Sequence, residues 1–142
     1  MRGGAGLAAL AISAAFATGA APAAAKPACG RACLTQAMDR YLSALVAHDP
    51  ARLAVTPDVR FTEDGAPLKL GDGLWQTNGG LGPFRLDFDD PERGQAGALV
   101  TVRENGNIAL MAIRLKLVGG RISQVETVLA RKGELQSLQT DL

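Results

Sequence analysis

The sequence feature that most constrains the fold is a pair of glycines, Gly119-Gly120, between two apolar, strand-like segments, Asn107–Val118 and Arg121–Arg131. A two-residue turn of type I′ needs positive φ at both central residues, and glycine adopts positive φ without steric cost. The two segments therefore predict a long β-hairpin. Apolar side chains occur on both of its faces, so one face needs cover from the chain's own helices and the other from further protein.

A regular register that starts from Val118 opposite Arg121 also places Arg114 opposite Val125. One face then faces the interior and carries Leu110, Ala112, Val125, Thr127 and Leu129. The other face carries Met111, Ile113, Leu115, Leu117 and Val128. We predict that this second set joins two copies in a homodimer, because no other segment is expected to cover it. The opposite assignment of the two faces stays open, and it also leaves one apolar face to cover.

The first quarter of the chain has the pattern of an export signal rather than of a folded domain. Residues 1–25 combine a basic start, an apolar run at Ala5–Gly19 and small residues before Lys26. The apolar run is shorter than the roughly 20 residues that span a bilayer, so we expect no membrane contact and a periplasmic or secreted location. The domain then covers residues 26–131, and residues 132–142 form a polar C-terminal tail.

Charge and cysteine content narrow the possible partners. The chain has 15 basic and 14 acidic residues and no basic run, so nucleic acid is not an expected partner. Cys29 and Cys33 could close a disulfide around one turn of an exported protein, with two free thiols as the alternative. The single histidine, His48, lies too far from these cysteines to complete a metal site, and no cofactor is expected.

Secondary structure follows from the apolar spacing. Leucines and other apolar residues recur every three or four positions and predict a helix over Arg31–Ala47. Asp49 is placed to cap a short second helix at Pro50–Ala54. Extended segments before the hairpin are expected at Val59–Glu63, Leu68–Leu70, Phe84–Phe88 and Gln95–Arg103. Helices segregated from an antiparallel meander define an α+β fold.

Three motifs in order carry a resemblance to a known superfamily. They are Asp39–Leu45, Pro57–Asp64 and Gly120–Ile122, and together they resemble the nuclear transport factor 2-like superfamily in its SnoaL-like and ketosteroid-isomerase-like branch. More narrowly, Arg60–Glu63, Leu70–Trp75 and Gly120–Thr127 resemble the exported domain-of-unknown-function family 8021. The resemblance implies a cone-shaped, curved antiparallel sheet wrapped around a long N-terminal helix. It also implies short helices at one end and an apolar cavity at the open end.

The resemblance also implies roles for two residues. Tyr41 falls where isomerases of this kind keep a hydrogen-bond donor to the substrate oxyanion, and Glu63 falls where they keep the carboxylate that moves the proton. A carboxylate in an apolar cone has a raised pKa and can act as a general base. The second oxyanion donor would fall at Ala112 or Arg114, which are not carboxylic acids, so steroid-type enolisation is disfavoured. The alternatives are a core role for Tyr41 and an exposed strand end for Glu63.

The remaining candidates are the side chains expected to line the cavity, which are Phe61, Trp75, Leu110, Arg114 and Thr127. Arg114 interrupts an apolar face, and a buried arginine needs a partner or an anionic ligand. The sequence offers neither a catalytic triad nor an acidic metal cluster. We therefore expect an exported domain that binds a small, largely apolar molecule. The alternative is a cofactor-free isomerase, cyclase or lyase with Glu63 as its base.

Overall fold

The computed structural model describes residues 1 and 29–134, and within them the chain forms an α+β fold around one open, curved six-stranded sheet. The predicted signal at 1–25 and the tail beyond residue 134 lie outside the described residues. The helical elements are α1 (Arg31–Val46), a 3₁₀ turn (Pro50–Arg52) and α2 (Leu74–Thr77). The strands are β1 (Val55–Glu63), β2 (Ala66–Leu68), β3 (Asn78–Asp90), β4 (Gln95–Glu104), β5 (Asn107–Val118) and β6 (Arg121–Ala130).

The strand order across the sheet is β2-β1-β6-β5-β4-β3. Strands β3 to β6 form the antiparallel meander that the sequence predicts, and β2 folds back on β1. Strand β1 lies parallel to β6, so the sheet is mixed and the prediction of a purely antiparallel sheet is wrong at this pair. A parallel neighbour requires a long connection, and here the whole meander between β1 and β6 supplies it.

Turn chemistry determines where the hairpins fold. Gly119 and Gly120 have φ values of 57° and 76°, which confirms the two-residue turn between β5 and β6. Asn105-Gly106 and Asp64-Gly65 also place two consecutive residues at positive φ, between β4 and β5 and between β1 and β2. Asparagine and aspartate tolerate this region better than other side chains, so all three turns follow from local sequence.

The register of the central hairpin differs from the predicted one by a β-bulge. Val118 pairs with Arg121 and Leu117 with Ile122, but the next pair is Lys116 with Gln124, so Ser123 is an extra residue in β6. The Ser123 hydroxyl donates a hydrogen bond to the Lys116 carbonyl, 3.1 Å away. Beyond the bulge, each residue of β5 pairs with the β6 residue one position later than predicted. Arg114 is therefore opposite Glu126 rather than Val125.

The bulge and the helix together decide which face is the core. Helix α1 packs on β3 and β4 and buries Leu34, Met38, Tyr41, Leu42, Ala44 and Leu45. The same core contains the sheet residues Ala96, Ala98, Val100, Val102, Met111, Ile113, Leu115, Val125 and Leu129, all buried on one face. Four of the five side chains predicted at a dimer interface, Met111, Ile113, Leu115 and Leu117, therefore lie in the core. The fifth, Val128, is 58 % exposed on the other face.

A disulfide closes the start of α1, and polar contacts attach the helix to β3. Cys29 and Cys33 form a disulfide across its first turn, with their Cα atoms 5.3 Å apart. Asp39 and Thr35 contact β3, where Arg85 Nη2 lies 2.7 Å from the Asp39 carboxylate and the Thr35 hydroxyl donates to Asp89 at 2.9 Å.

Within residues 29–134 no helix is long and apolar enough to cross a bilayer.

Candidate functional site

The candidate site begins with Glu63, which β1 carries to the inner face of the sheet. Strand alternation puts Phe61 and Glu63 inside, with 4 % and 9 % of their surface exposed. Glu63 pairs with Thr127 of β6, which is also buried. The Thr127 hydroxyl donates to the Thr62 carbonyl at 3.2 Å, so the main chain already satisfies it. Glu63 is thus the buried acidic residue of the inner face that has no ion-pair partner among residues 29–134. The Asp89 side chain, opposite the core residue Ala96, is also mostly buried but contacts Arg31 and Thr35.

The main chain holds one oxygen of this carboxylate. The Leu74 N–H donates to Glu63 Oε2 over 3.0 Å, in a buried hydrogen bond between α2 and the end of β1. Among the described residues Glu63 Oε1 accepts no hydrogen bond, and no described cation lies within ion-pair distance of the carboxylate. Glu63 therefore keeps one oxygen that a bound molecule could use.

Next to Leu74, Trp75 forms a polar contact with Tyr41. The two rings meet edge to face, with centroids 5.3 Å apart and planes at 85°, and Trp75 Nε1 donates to the Tyr41 hydroxyl oxygen at 3.2 Å. Because an indole N–H only donates, Tyr41 accepts here and its own hydrogen can go to another acceptor. Each residue is 1 % exposed, so the two rings fill the interior of the fold. We call Tyr41, Glu63, Leu74 and Trp75 the interior cluster.

Contacts outside the interior cluster hold α2 against the end of α1. The His48 Nδ1–H donates to the Trp75 carbonyl, and Asn78 Nδ2 donates to the Leu45 carbonyl at 3.3 Å. His48 adopts positive φ, 53°, immediately after α1 ends. The sequence indicated the end of the helix at His48 but carried no signal for this long-range bond.

Burial controls the acidity of the interior cluster. Removal from water raises the pKa of Glu63, and the nearby Asp64 and Glu104 carboxylates act in the same direction. The Leu74 N–H and the positive charge of Arg131 oppose that rise. Burial also raises the pKa of Tyr41 far above the physiological range, and the negative charge of Glu63 adds to this rise. Tyr41 is therefore a neutral donor or acceptor, and Glu63 binds a proton more readily than an exposed glutamate.

A second feature lies at one end of the sheet, where the chain leaves β6. The described residues that line a cavity of about 490 Å³, which we call the end cleft, are Glu104, Asn105, Asn107, Ile108, Ala109, Arg131, Lys132 and Gly133. Arg131 binds Glu104 through Nε at 2.7 Å and Nη2 at 3.2 Å, and it reaches Asp64 at 3.3 Å. This pairing lowers the pKa of Glu104. Because Arg131 and Glu104 also shift the pKa of Glu63, the end cleft and the interior cluster are electrostatically coupled.

Two predicted cavity residues lie elsewhere. Leu110 and Arg114 were expected to line the interior, but both belong to the outer face of β5, whose alternate residues are buried. The physical reason is the bulge at Ser123, which pairs Arg114 with Glu126 in a two-pronged ion pair of 2.9 and 2.7 Å. Gln124 and Gln95 also accept from Arg114, at 2.9 and 3.3 Å. Arg114 therefore already has its partners and faces away from the interior cluster.

The end cleft was not found by sequence reasoning. Its central residues, Glu104 and Arg131, are 27 positions apart in the sequence. They meet because β4 and β6 both pair with β5, one on each side. Among residues 29–134 no cluster of three or more histidine, cysteine, aspartate or glutamate side chains is arranged to hold a metal ion.

Comparisons with known proteins define the fold. No protein-family profile matches the chain, and no curated protein sequence matches it either. A steroid delta-isomerase from Pseudomonas aeruginosa superposes with a TM-score of 0.51 at 15 % identity, covering 78 % of this chain and 88 % of that one. AclR from Streptomyces galilaeus, a hydroxylase by assignment, superposes with a TM-score of 0.57 at 13 % identity, over 78 % and 87 % of the two chains.

A de novo designed protein with a curved β-sheet superposes with a TM-score of 0.59 at 15 % identity, over 80 % of this chain and 99 % of the design. The natural proteins have the nuclear transport factor 2-like fold, and the structure of this chain is consistent with it. At these identities the likeness describes the fold, since one such scaffold hosts many unrelated activities.

Proposed function

We propose that this chain is an exported domain of the nuclear transport factor 2-like fold, akin to family 8021, that binds a small, largely apolar molecule. The observation that carries the proposal is Glu63, a buried carboxylate with one oxygen left for a partner. Burying a carboxylate without a cation costs folding free energy, and such costs concentrate at functional sites. Phe61, Trp75 and Tyr41 provide apolar surroundings for this carboxylate.

Proton transfer is the second candidate function, with Glu63 as the base. Three features support it: the raised pKa of Glu63, the effect of the Glu63 charge on the pKa of Tyr41, and the position of Arg114 on the outer face. Arg114 beside Glu63 would have held the carboxylate ionised and weakly basic, and on the outer face Arg114 has no such effect. The positive charge of Arg131 opposes the rise in the pKa of Glu63 without reversing it. The steroid delta-isomerase among the structural neighbours suggests a ketone as the substrate to try first.

Native mass spectrometry of protein purified from its own host tests the binding proposal. We expect a co-purifying small molecule with the wild type and with Glu126→Gln, a matched control on the outer face. Glu63→Gln should carry less of it. Equal loading of the two variants would show that Glu63 does not contact the molecule, and a wild type without any adduct would contradict the proposal.

Deuterium exchange tests the catalytic candidate. If Glu63 is a base, the wild type should exchange the α-protons of a small cyclic ketone such as 2-tetralone in deuterated water faster than Glu63→Gln does. Proton NMR measures both rates. Equal rates in the two proteins would exclude proton abstraction by Glu63 from this ketone.

A second copy of the chain is the partner we propose for the outer face. Leu86, Leu99, Ala112 and Val128 are paired in one row across four adjacent strands. Phe84 and Phe88 flank this row, and Leu86, Phe88 and Val128 are each at least half exposed. We call these six residues the outer apolar surface. Because these side chains are neighbours across four strands on one face, they form a contiguous exposed apolar patch, and such patches are candidate protein contacts.

Sedimentation of the purified protein tests this dimer. The wild type should sediment as a dimer at micromolar concentration, and Val128→Lys should sediment as a folded monomer. Lys116→Ala, on the polar part of the same face, serves as the control that leaves the apolar row intact. A monomeric wild type would reject the second copy as the partner.

The exported location is also a proposal. Mass spectrometry of protein recovered from outside the cytoplasm should give an N-terminus between Ala24 and Lys26. A retained Met1 would contradict export by cleavage of residues 1–25.

A further inference from the structure

Gly73 lies directly against the carboxylate of Glu63. A Cβ built on Gly73 would lie 2.7 Å from Glu63 Oε1, 2.8 Å from Oε2 and 2.9 Å from the carboxyl carbon. Real Cβ atoms do not approach so closely, so a side chain at position 73 and the observed position of Glu63 exclude each other. The absence of a side chain here is what lets the main chain reach the carboxylate.

The backbone conformation of Gly73 gives the same conclusion independently. Its φ is 64° and its ψ is −129°, a region open only to glycine. This conformation directs the next amide, the N–H of Leu74, onto Glu63 Oε2 at 3.0 Å. Two residues earlier, Gly71 also has positive φ, 108°, and packs against Pro50. The segment between these glycines passes between the 3₁₀ turn and the carboxylate.

We propose that Gly73 is a positioning residue of the site, which lets the Leu74 amide fix Glu63 Oε2 and so presents Oε1 to a hydrogen-bond donor on the bound molecule. The inference rests on the proposed binding function and adds a chemical class to it. The bound molecule has an apolar body and a hydroxyl or N–H group that donates to Oε1. An apolar molecule without a donor leaves this carboxylate oxygen unpaired and binds less tightly.

Gly65 is a matched control for Gly73. Both have positive φ, 79° at Gly65, so alanine strains the backbone at either position. A Cβ on Gly65 meets nothing within 4 Å, whereas a Cβ on Gly73 meets Glu63. An effect of Gly73→Ala that Gly65→Ala lacks therefore shows that position 73 itself, through its contact with the carboxylate and its glycine-only conformation, is required, and not positive φ in general.

NMR of labelled protein tests the positioning step without any ligand. In the wild type and in Gly65→Ala, the Leu74 amide should shift with pH at the same midpoint as the Glu63 carboxyl carbon. In Gly73→Ala the two signals should no longer share a midpoint. A Leu74 amide that ignores the titration of Glu63 in the wild type overturns the inference, even if Gly73→Ala does not fold and even if ligand binding depends on Glu63.

A pair of naphthalenes tests the chemical class of the bound molecule. 2-Naphthol carries a hydroxyl donor, and 2-methoxynaphthalene has the same rings without it. Quenching of Trp75 fluorescence should show that the wild type and Gly65→Ala bind the naphthol about tenfold more tightly or better. That preference should disappear in Gly73→Ala. Equal affinities in the wild type overturn the donor class, and no binding of either compound, with the NMR coupling intact, counts against the proposed function alone.

Discussion

The two faces of the sheet differ in the burial of their apolar side chains and in the pairing of their charges. On the inner face the apolar residues are buried and Glu63 lacks a described cation at ion-pair distance. On the outer face Arg114 and Glu126 neutralise each other, and Leu86 and Val128 are half exposed or more. An unpaired buried carboxylate is costly for stability alone, and so is an exposed apolar row. This contrast supports the two proposals made above, a small-molecule site on the inner face and a contact with a second copy on the outer face.

The largest loss of stability is expected from a test on two neighbouring residues of β5 whose side chains lie on opposite faces. Ile113 is 4 % exposed in the core, and Ala112 is exposed on the outer face. Ile113→Lys would bury an unpaired ammonium and should lower the free energy of unfolding by about 4 kcal/mol or more. Ala112→Lys should stay folded. Thermal unfolding followed by circular dichroism measures the stability of both variants. Equal losses of stability in Ile113→Lys and Ala112→Lys would contradict the assignment of the two faces.

The next effect concerns the two aromatic environments. Trp75 is 1 % exposed in the interior cluster, and Phe84 is 45 % exposed on the outer apolar surface. Trp75→Ala should cost about 3–5 kcal/mol, the usual loss for a buried large aromatic. Phe84→Ala should cost less than about 1 kcal/mol in the monomer. Urea unfolding compares the two variants, and a Trp75 indole open to aqueous quenchers would show that the interior is not closed as described.

A smaller effect separates two glutamates by its pH dependence. Burial raises the pKa of Glu63, so its favourable contribution is present below its ordinary pKa and is lost as pH rises through the folded-state pKa. Arg131 lowers the pKa of Glu104, so that contribution is present above the ordinary pKa and is lost as pH falls. Relative to wild type, Glu63→Gln should therefore become more stable with rising pH, and Glu104→Gln less stable.

Urea midpoints measured at several pH values between the acidic and neutral ranges would show the two opposite slopes. Parallel slopes for Glu63→Gln and Glu104→Gln would mean that Glu63 is not held in an apolar environment.

The smallest effect is expected at the ion pair of the outer face. Arg114 and Glu126 have side chains 32 % and 53 % exposed, so water screens their attraction. Arg114→Met should cost about 0.5–1 kcal/mol, and salt should reduce the difference. A loss well beyond that range in a monomeric background would indicate that Arg114 supports more than this pair. Denaturant unfolding at low and high salt provides the measurement.

The sequence predicted the parts of the fold that depend on neighbouring residues. The Gly119-Gly120 turn and the bounds of β5 follow from local turn chemistry and β propensity. The alternation of Phe61 and Glu63 with polar neighbours was enough to place both on one face. The bulge depends on one unpaired residue, Ser123, and serine is also common in regular strands, so the sequence did not predict it. Without the bulge the register is shifted by one residue, and the face of Arg114 was therefore predicted wrongly.

Contacts between distant segments were beyond reach for a different reason. Glu104 ends β4 and Arg131 directly follows β6, two strands that are not consecutive in the chain, and each is an ordinary charged residue in the sequence. The hydrogen bond from Leu74 to Glu63 depends on the unusual backbone conformation of Gly73. The sequence shows only one more glycine in a glycine-rich segment, so this conformation could not be predicted. Only the three-dimensional arrangement reveals such pairs.

The bulge at Ser123 has a genetic consequence. Deleting its single codon would leave Gln124 directly after Ile122, so simple two-residue alternation would keep Ile122, Val125 and Leu129 on the core face. The pairs that β6 forms with β5 beyond the bulge would stay the same. Loss of a codon further along, such as that of Glu126, would instead turn Thr127 and Leu129 toward water. Alignments of related sequences should therefore place a gap in β6 at Ser123 rather than beyond Val125.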